Sequence, residues 1–110
     1  MSFTEQYSPD APSRAAVDAL DGCTLLEFGT GWCGHCRAAQ PLLASALRAH
    51  DLRHLKIEDG PGRPLGRSFR VKLWPTLILM RQGTELGRLV RPTRAAAIDE
   101  LLDLAKGDTA

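Results

Sequence analysis

The chain has 110 residues, 44% of them hydrophobic and 25% charged, with a formal net charge of +1. That is enough for one globular domain over 1–110 with a modest core, and too little for two. The opening residues lack a basic region followed by an apolar run, and no later stretch approaches a membrane span, so neither a secretory signal nor an anchor is expected and the default compartment is the cytoplasm.

Residues 1–12 are polar, contain Pro9 and Pro12, and read as either a tail or a short edge strand over 3–7. Ser13 can cap a short helix ending at Leu20, with Ala16, Val17 and Leu20 on one face, before the Asp21-Gly22 turn. Cys23 opens a strand whose apolar run, 24–28, suits a buried position and whose lone cysteine reads as a small buried hydrophobe. Inside that run stands Glu27. With helices on both faces of the sheet it is buried whichever way it points, and an isolated buried carboxylate has a raised pKa and can carry a proton.

Trp32-Cys33-Gly34-His35-Cys36 follows, at the switch from this strand to a helix. Ala39, Leu42, Leu43, Ala46, Leu47 and His50 recur at helical spacing over 37–50, with Pro41 expected to kink the helix one turn in. A strand over 52–58 places Leu55 and Ile57 on one side. Residues 59–64 form a loop and 65–69 a short helix. Leu73-Trp74-Pro75-Thr76 leads into the apolar strand 77–80, a Gln82-Gly83-Thr84 turn and a hairpin partner over 85–90. Thr93 is the expected cap of a last helix striped by Ile98, Leu101, Leu102 and Ala105, with Lys106-Gly107 as its stop.

Three cysteines leave at least one without an intramolecular partner, which argues against a secreted disulfide framework and for a catalytic or metal-binding pair plus a bystander. At a helix start, Cys33 meets unpaired backbone N–H groups and the positive end of the helix dipole, and both favour a thiolate. At the ordinary thiol pKa roughly 3% of Cys33 would be ionised at pH 7, whereas a value near 6.5 would give about 75%. Disulfide exchange needs one such exposed nucleophile, Cys33, and a second thiol one turn inside, Cys36, to resolve the mixed disulfide.

The element order predicts an α/β fold with a central mixed sheet and helices on both faces. Wrapped around Trp32, Cys33, Gly34 and Cys36, with Glu27 six residues before the first cysteine, Phe28 after it, Pro41 five residues past the second, Pro75-Thr76 and Gly83, this order resembles the thioredoxin family over 13–104. The resemblance implies the thioredoxin fold and a redox-active Cys33–Cys36 disulfide in place of a bound cofactor. It further implies a cis-proline at Pro75 that leaves backbone groups free for an extended client chain, and a client site bordered by Trp32, Gly34, Trp74, Pro75, Thr76 and Arg91. Cys-Gly-His-Cys resembles the motif of protein disulfide isomerases. There His35 would stabilise the Cys33 thiolate and make the disulfide a stronger oxidant. Gly29 stands where the family usually has an aromatic, Arg91 where it has a glycine, and Trp74 where it has a smaller residue; client preference is expected to differ accordingly.

Implied partners are disulfide-bearing client proteins and an upstream thiol reductase or small thiol, acting on a monomer, without nucleic acid or membrane. Reduction of cytoplasmic clients is the first reading, and disulfide oxidase or isomerase work is the alternative carried by His35. A docking module with incidental redox activity is a further alternative. Arg63, Arg67, Arg70, Lys72, Arg81, Arg88, Arg91 and Arg94 against Glu85 alone make 60–94 strongly basic, either a surface that steers acidic clients or a dispersed solvated one. The rival from another class is a zinc module using Cys33, Cys36, His50 and His54, whose spacing fits a finger. A continuous helix would place His50 about 20 Å beyond Cys36, too far for one ion.

Overall fold

The computed structural model describes residues 3–106. At its centre lies β1 (Cys23–Gly29), buried from Thr24 to Gly29. It pairs in parallel with β2 (Arg53–Glu58) and antiparallel with β3 (Thr76–Arg81), and β3 pairs antiparallel with β4 (Thr84–Val90), giving the order β2-β1-β3-β4. The helices are α1 (Arg14–Asp18), α2 (Gly34–Arg48), α3 (Pro64–Ser68) and α4 (Ala95–Asp103). This is the expected mixed sheet covered on both faces.

Alternation along the strands sends successive side chains to opposite faces, and burial of both faces is why β1 and β3 read as continuous apolar runs. Leu25, Leu77 and Leu79 pack with Leu43 and Leu47 of α2 and with Ile98, Leu101 and Leu102 of α4. Leu26, Phe28, Ile78 and Met80 pack on the other face with Val17, Leu65 and Phe69. Glu27 and Gly29 share the parity of Leu25, so both face α2.

Several boundaries differ from the sequence reading. α1 ends at Asp18 and buries only Val17, leaving Ala16 exposed, although Ser13 caps it as expected. α2 starts at Gly34 because Cys33 itself is the cap, and it stops at Arg48. Arg94, not Thr93, occupies the cap position of α4. Residues 3–12 form no strand; a single parallel bridge joins Ser8 to Ile57, and the Ser8 N–H donates to the Lys56 carbonyl at 2.8 Å. Cys23 is only half-buried, against the α2–α4 core. Gly107, half of the expected α4 stop, lies outside the described residues. The hairpin turn is one residue shorter than expected, because Thr84 already begins β4 opposite Arg81; Gln82 at φ 45° and Gly83 at φ 87° supply the two left-handed positions that a two-residue turn between twisted strands requires.

Candidate active site

The chain leaves the end of β1, turns through Thr30 and Trp32, and enters α2 with Cys33 at the cap. Cys33 Sγ accepts the Cys36 backbone N–H at 3.3 Å, so the sulfur occupies the place an aspartate or serine oxygen would take and meets the positive end of a fifteen-residue helix. The two cysteines are free thiols. Cys33 is 8% exposed and Cys36 is fully covered, so Cys33 is the one a partner can reach, although it is far less open than the tip expected from the sequence. Burial pushes the Cys36 thiol up to about 11, and the neighbouring Cys33 adds to this. The Thr30 backbone and the Tyr7 hydroxyl, both hydrogen-bonded to it, pull the other way.

Glu27 is fully buried, as expected, but it is not isolated. Tyr7 Oη donates to its Oε2 at 2.6 Å, and Gln40 Nε2 donates to the same oxygen at 2.9 Å. His54 Nε2 lies 2.9 Å from Oε1. The Thr4 backbone N–H donates to His54 Nδ1 at 2.8 Å, which leaves Nε2 as the protonated nitrogen donating to the carboxylate. Burial favours the neutral acid, yet the hydrogen bonds from His54, Tyr7 and Gln40 outweigh it and hold the Glu27 carboxyl below its ordinary range. The expected raised pKa is therefore corrected: it assumed a lone carboxylate, and three donors from distant segments converge on this one.

Around that core, Gln40 also donates to the Cys36 carbonyl at 2.7 Å, and its Oε1 accepts from Lys56 Nζ at 2.5 Å. Lys56 further donates to the Glu5 carbonyl at 2.5 Å; burial depresses its ammonium, against the opposing charge of Glu27. Burial and the adjacent carboxylate push the Tyr7 phenol above its usual range, so it stays a neutral hydroxyl. Phe3 stacks on the His54 ring with centroids 5.7 Å apart.

The outer face brings together most of the residues expected at a client site. Trp32 is 75% exposed and meets Trp74 edge-on, with ring centroids 5.7 Å apart. Trp74 Nε1 donates to Asp59 Oδ2 at 2.9 Å, and the Trp74–Pro75 peptide bond is cis. The Arg91 backbone N–H donates to the Pro75 carbonyl at 2.9 Å and its Nε to the Trp74 carbonyl at 2.8 Å, so these two carbonyls are not free for a client chain, contrary to what the resemblance implied. Arg91 holds φ 53°, a left-handed conformation that glycine adopts freely. Gly34 is exposed on the first turn of α2. Thr76 is the exception: it is buried and its hydroxyl donates inward to the Leu73 carbonyl at 2.6 Å, so its side chain does not face a client. His35 is exposed and shares a shallow groove of about 250 Å³ with Leu42, Arg91 and Thr93.

The zinc set is not assembled. α2 runs unbroken through Pro41 to Arg48, so Cys36 and His50 lie at opposite ends of it, and His50 lies beside Asp99 and Asp103 at 3.6 and 3.8 Å. His54, the fourth residue of that set, is on β2 and buried against Glu27. Among the described residues, no group of three or more His, Cys, Asp or Glu is placed to hold a metal. The basic segment is partly neutralised by ion pairs. Arg63 pairs with Glu58 and Arg88 with Glu85, whereas Arg67 and Lys72 share a groove with Trp74.

Tyr7, Gln40, His54 and Lys56 escape the sequence reading. His54 and Lys56 did leave a signal, since they alternate with Leu55 and Ile57 in a strand and so mark a polar stripe facing α2. Tyr7 left only its being the single tyrosine of the chain.

The family model described as Thioredoxin matches residues 10–104. The thioredoxin of Mycobacterium tuberculosis H37Rv is 35% identical over 98 residues, covering 86% of this chain and 84% of that protein. Rice thioredoxin H2-1 is 34% identical over 67 residues, which is 60% of this chain and about half (49%) of the rice protein. Among solved structures, thioredoxin 2 from Pseudomonas aeruginosa PAO1 in its reduced form superposes with a TM-score of 0.85 at 52% identity, covering 96% of this chain and 99% of that one.

Proposed function

The chain belongs to the thioredoxin family, whose members are thiol–disulfide oxidoreductases, and on that premise we propose that it reduces disulfides of client proteins in the cytoplasm through a Cys33–Cys36 dithiol/disulfide cycle. The observation that carries this is the unequal placement of the two thiols, with Cys33 capping α2 at 8% exposure and Cys36 covered directly behind it. In the proposed cycle the Cys33 thiolate attacks a client sulfur, the client disulfide breaks, and one client thiol leaves. Cys36 then attacks Cys33 Sγ, the Cys33–Cys36 bond forms, and the second client thiol is released. Two electrons pass to the client, and an upstream thiol reductase or small thiol returns them.

Trp32, Trp74, Pro75 and Arg91 border the surface on which an extended client segment would lie, with the Trp32 ring as its most exposed apolar contact. Gly34 leaves open space beside the nucleophile. Reduction is favoured by the compartment expected from the sequence; no helix of the described residues is long and apolar enough to cross a membrane.

His35 supports a second direction. It is exposed on the same helical turn as Cys33, and a protonated imidazole there would stabilise the thiolate and raise the potential. The reduction potential of the pair, equilibrated against glutathione under metal-free conditions, tests both. A value near about −270 mV is expected for a reductant, and one near about −180 mV or above would establish oxidase or isomerase work instead. Absence of any Cys33–Cys36 disulfide would defeat both.

A further inference from the structure

Gly29 lies on the face of β1 that packs against α2, and the space its missing side chain leaves is occupied. A Cβ at Gly29 would lie 2.5 Å from Cys36 Sγ and 2.7 Å from Tyr7 Oη, so the two atoms converge on one point beneath the start of α2. Tyr7 reaches this point from the N-terminal segment, which Ser8 pins to β2. From there its hydroxyl donates to Glu27 Oε2 at 2.6 Å. The other carboxylate oxygen is turned to His54 at 2.9 Å. Gln40 also bridges Oε2 and Cys36, but through an amide that does not release its proton and only to the Cys36 carbonyl, so the contact that leads from the buried carboxylate toward the Cys36 sulfur is the phenol.

We propose that Tyr7 is the proton relay of the resolving step, taking the proton of Cys36 and passing its own to Glu27. The inference rests on the reading of Cys36 as the resolving thiol. As Cys36 attacks the mixed disulfide, its S–H bond breaks and the proton passes to Tyr7 Oη. The Tyr7 proton passes to Glu27 Oε2, the Cys36–Cys33 bond forms, and the bond from Cys33 to the client sulfur breaks. The client leaves as a thiolate and takes a proton from solvent, and Glu27 later returns its proton by the same path.

The need for such a relay follows from the covered position of Cys36. With its thiol pushed up to about 11, roughly one molecule in 10⁴ would hold it ionised at pH 7. A hydroxyl suits the task because it accepts and donates at once. Its own ionisation is suppressed by burial and by Glu27, so no tyrosinate has to accumulate. The lowered pKa of Glu27 makes it a transient acceptor, which matches a proton that moves in concert with sulfur exchange. The competing carrier is water: a cavity of about 370 Å³ lined by Tyr7, Thr30, Cys36, Gln40 and Lys56 reaches the same thiol.

Tyr7→Phe separates the two carriers, since it keeps the ring and removes only the hydroxyl. In a Cys23→Ala background, which removes the half-buried third thiol, mixing reduced protein with a dithiobis(nitrobenzoate) probe releases coloured thiolate twice, first on attack by Cys33 and then on resolution by Cys36. The variant is expected to keep the first phase and to slow the second by about tenfold or more at pH 7, the low end of what positioned proton transfer contributes. The deficit should close as pH approaches 11, where hydroxide removes the Cys36 proton directly. A second phase at the wild-type rate across this range would overturn the relay and assign the proton to cavity water. A wild type that shows only the first phase would overturn the relay together with the reading on which it rests.

Should Tyr7→Phe fail to fold, 3-fluorotyrosine labels position 7 alone, because the chain has one tyrosine. Its fluorine resonance should shift with the same midpoint as the Cys36 thiol; a resonance blind to that titration would overturn the relay.

Discussion

At the scale of the residue, the buried carboxylate shows how far neighbours decide chemistry. Glu27 carries no solvent exposure, yet three donors keep it ionised. Its native pKa is depressed, so it stabilises the fold above the ordinary value of 4.5 and loses that contribution as pH falls through its lower native value. The difference in urea unfolding free energy between wild type and Glu27→Gln should accordingly be about 1–3 kcal/mol near neutral pH and shrink on acidification to about pH 3. A pH-independent difference would contradict the lowered pKa. The cysteines make a complementary prediction. In a Cys23→Ala background, Cys36→Ser should accumulate the mixed disulfide with a model client, visible as a covalent adduct by mass spectrometry, and Cys33→Ser should form none, because of the two remaining cysteines only Cys33 is accessible. Adduct formation through Cys36 would reverse the assignment.

At the scale of the element, the strand–cap–helix unit sets where the chemistry sits. β1 buries Leu25 and Leu26 on opposite faces, and α2 locks onto one of them through Leu43 and Leu47. Leu43→Ala should cost about 2–5 kcal/mol of stability, read from denaturant midpoints, because Leu43 is fully buried between β1 and α4. The hairpin offers a test remote from the cysteines. Gly83 holds φ 87°, and a Cβ there would lie 3.1 Å from the Asp18 carbonyl oxygen. Gly83→Ala should therefore lose about 1–2 kcal/mol while both phases of the two-step thiol reaction keep their rates. A change in the resolving phase would mean that the hairpin communicates with the site. Helix boundaries were less legible than helix existence. The sulfur of Cys33 acts as a cap although cysteine is not a capping residue by type, and this is why a periodicity search places the start of α2 three residues late.

At the scale of the whole molecule, charge and the N-terminal segment act across the fold. Arg67 and Lys72 flank the groove that contains Trp74, beside the candidate client surface, whereas Arg63 and Arg88 are held in ion pairs. Replacing Arg67 and Lys72 together by glutamine should flatten the salt dependence of the reduction rate of an acidic client, since screening acts only on charge that steers. An unchanged slope would make the basic segment an ordinary solvated surface. The mixed sheet, the cysteine pair at a strand-to-helix switch and the burial of Glu27 were legible in the residues alone, because these follow from hydrophobic period and spacing within short windows. Tertiary structure alone decided what surrounds that carboxylate. Tyr7, His54 and Gln40 lie 20, 27 and 13 residues from Glu27 in the chain, and no local pattern encodes that they meet. They converge because the N-terminal segment lies along β2 and α2 packs over β1, so the ionisation of the buried acid, and the path its proton takes, belong to the fold.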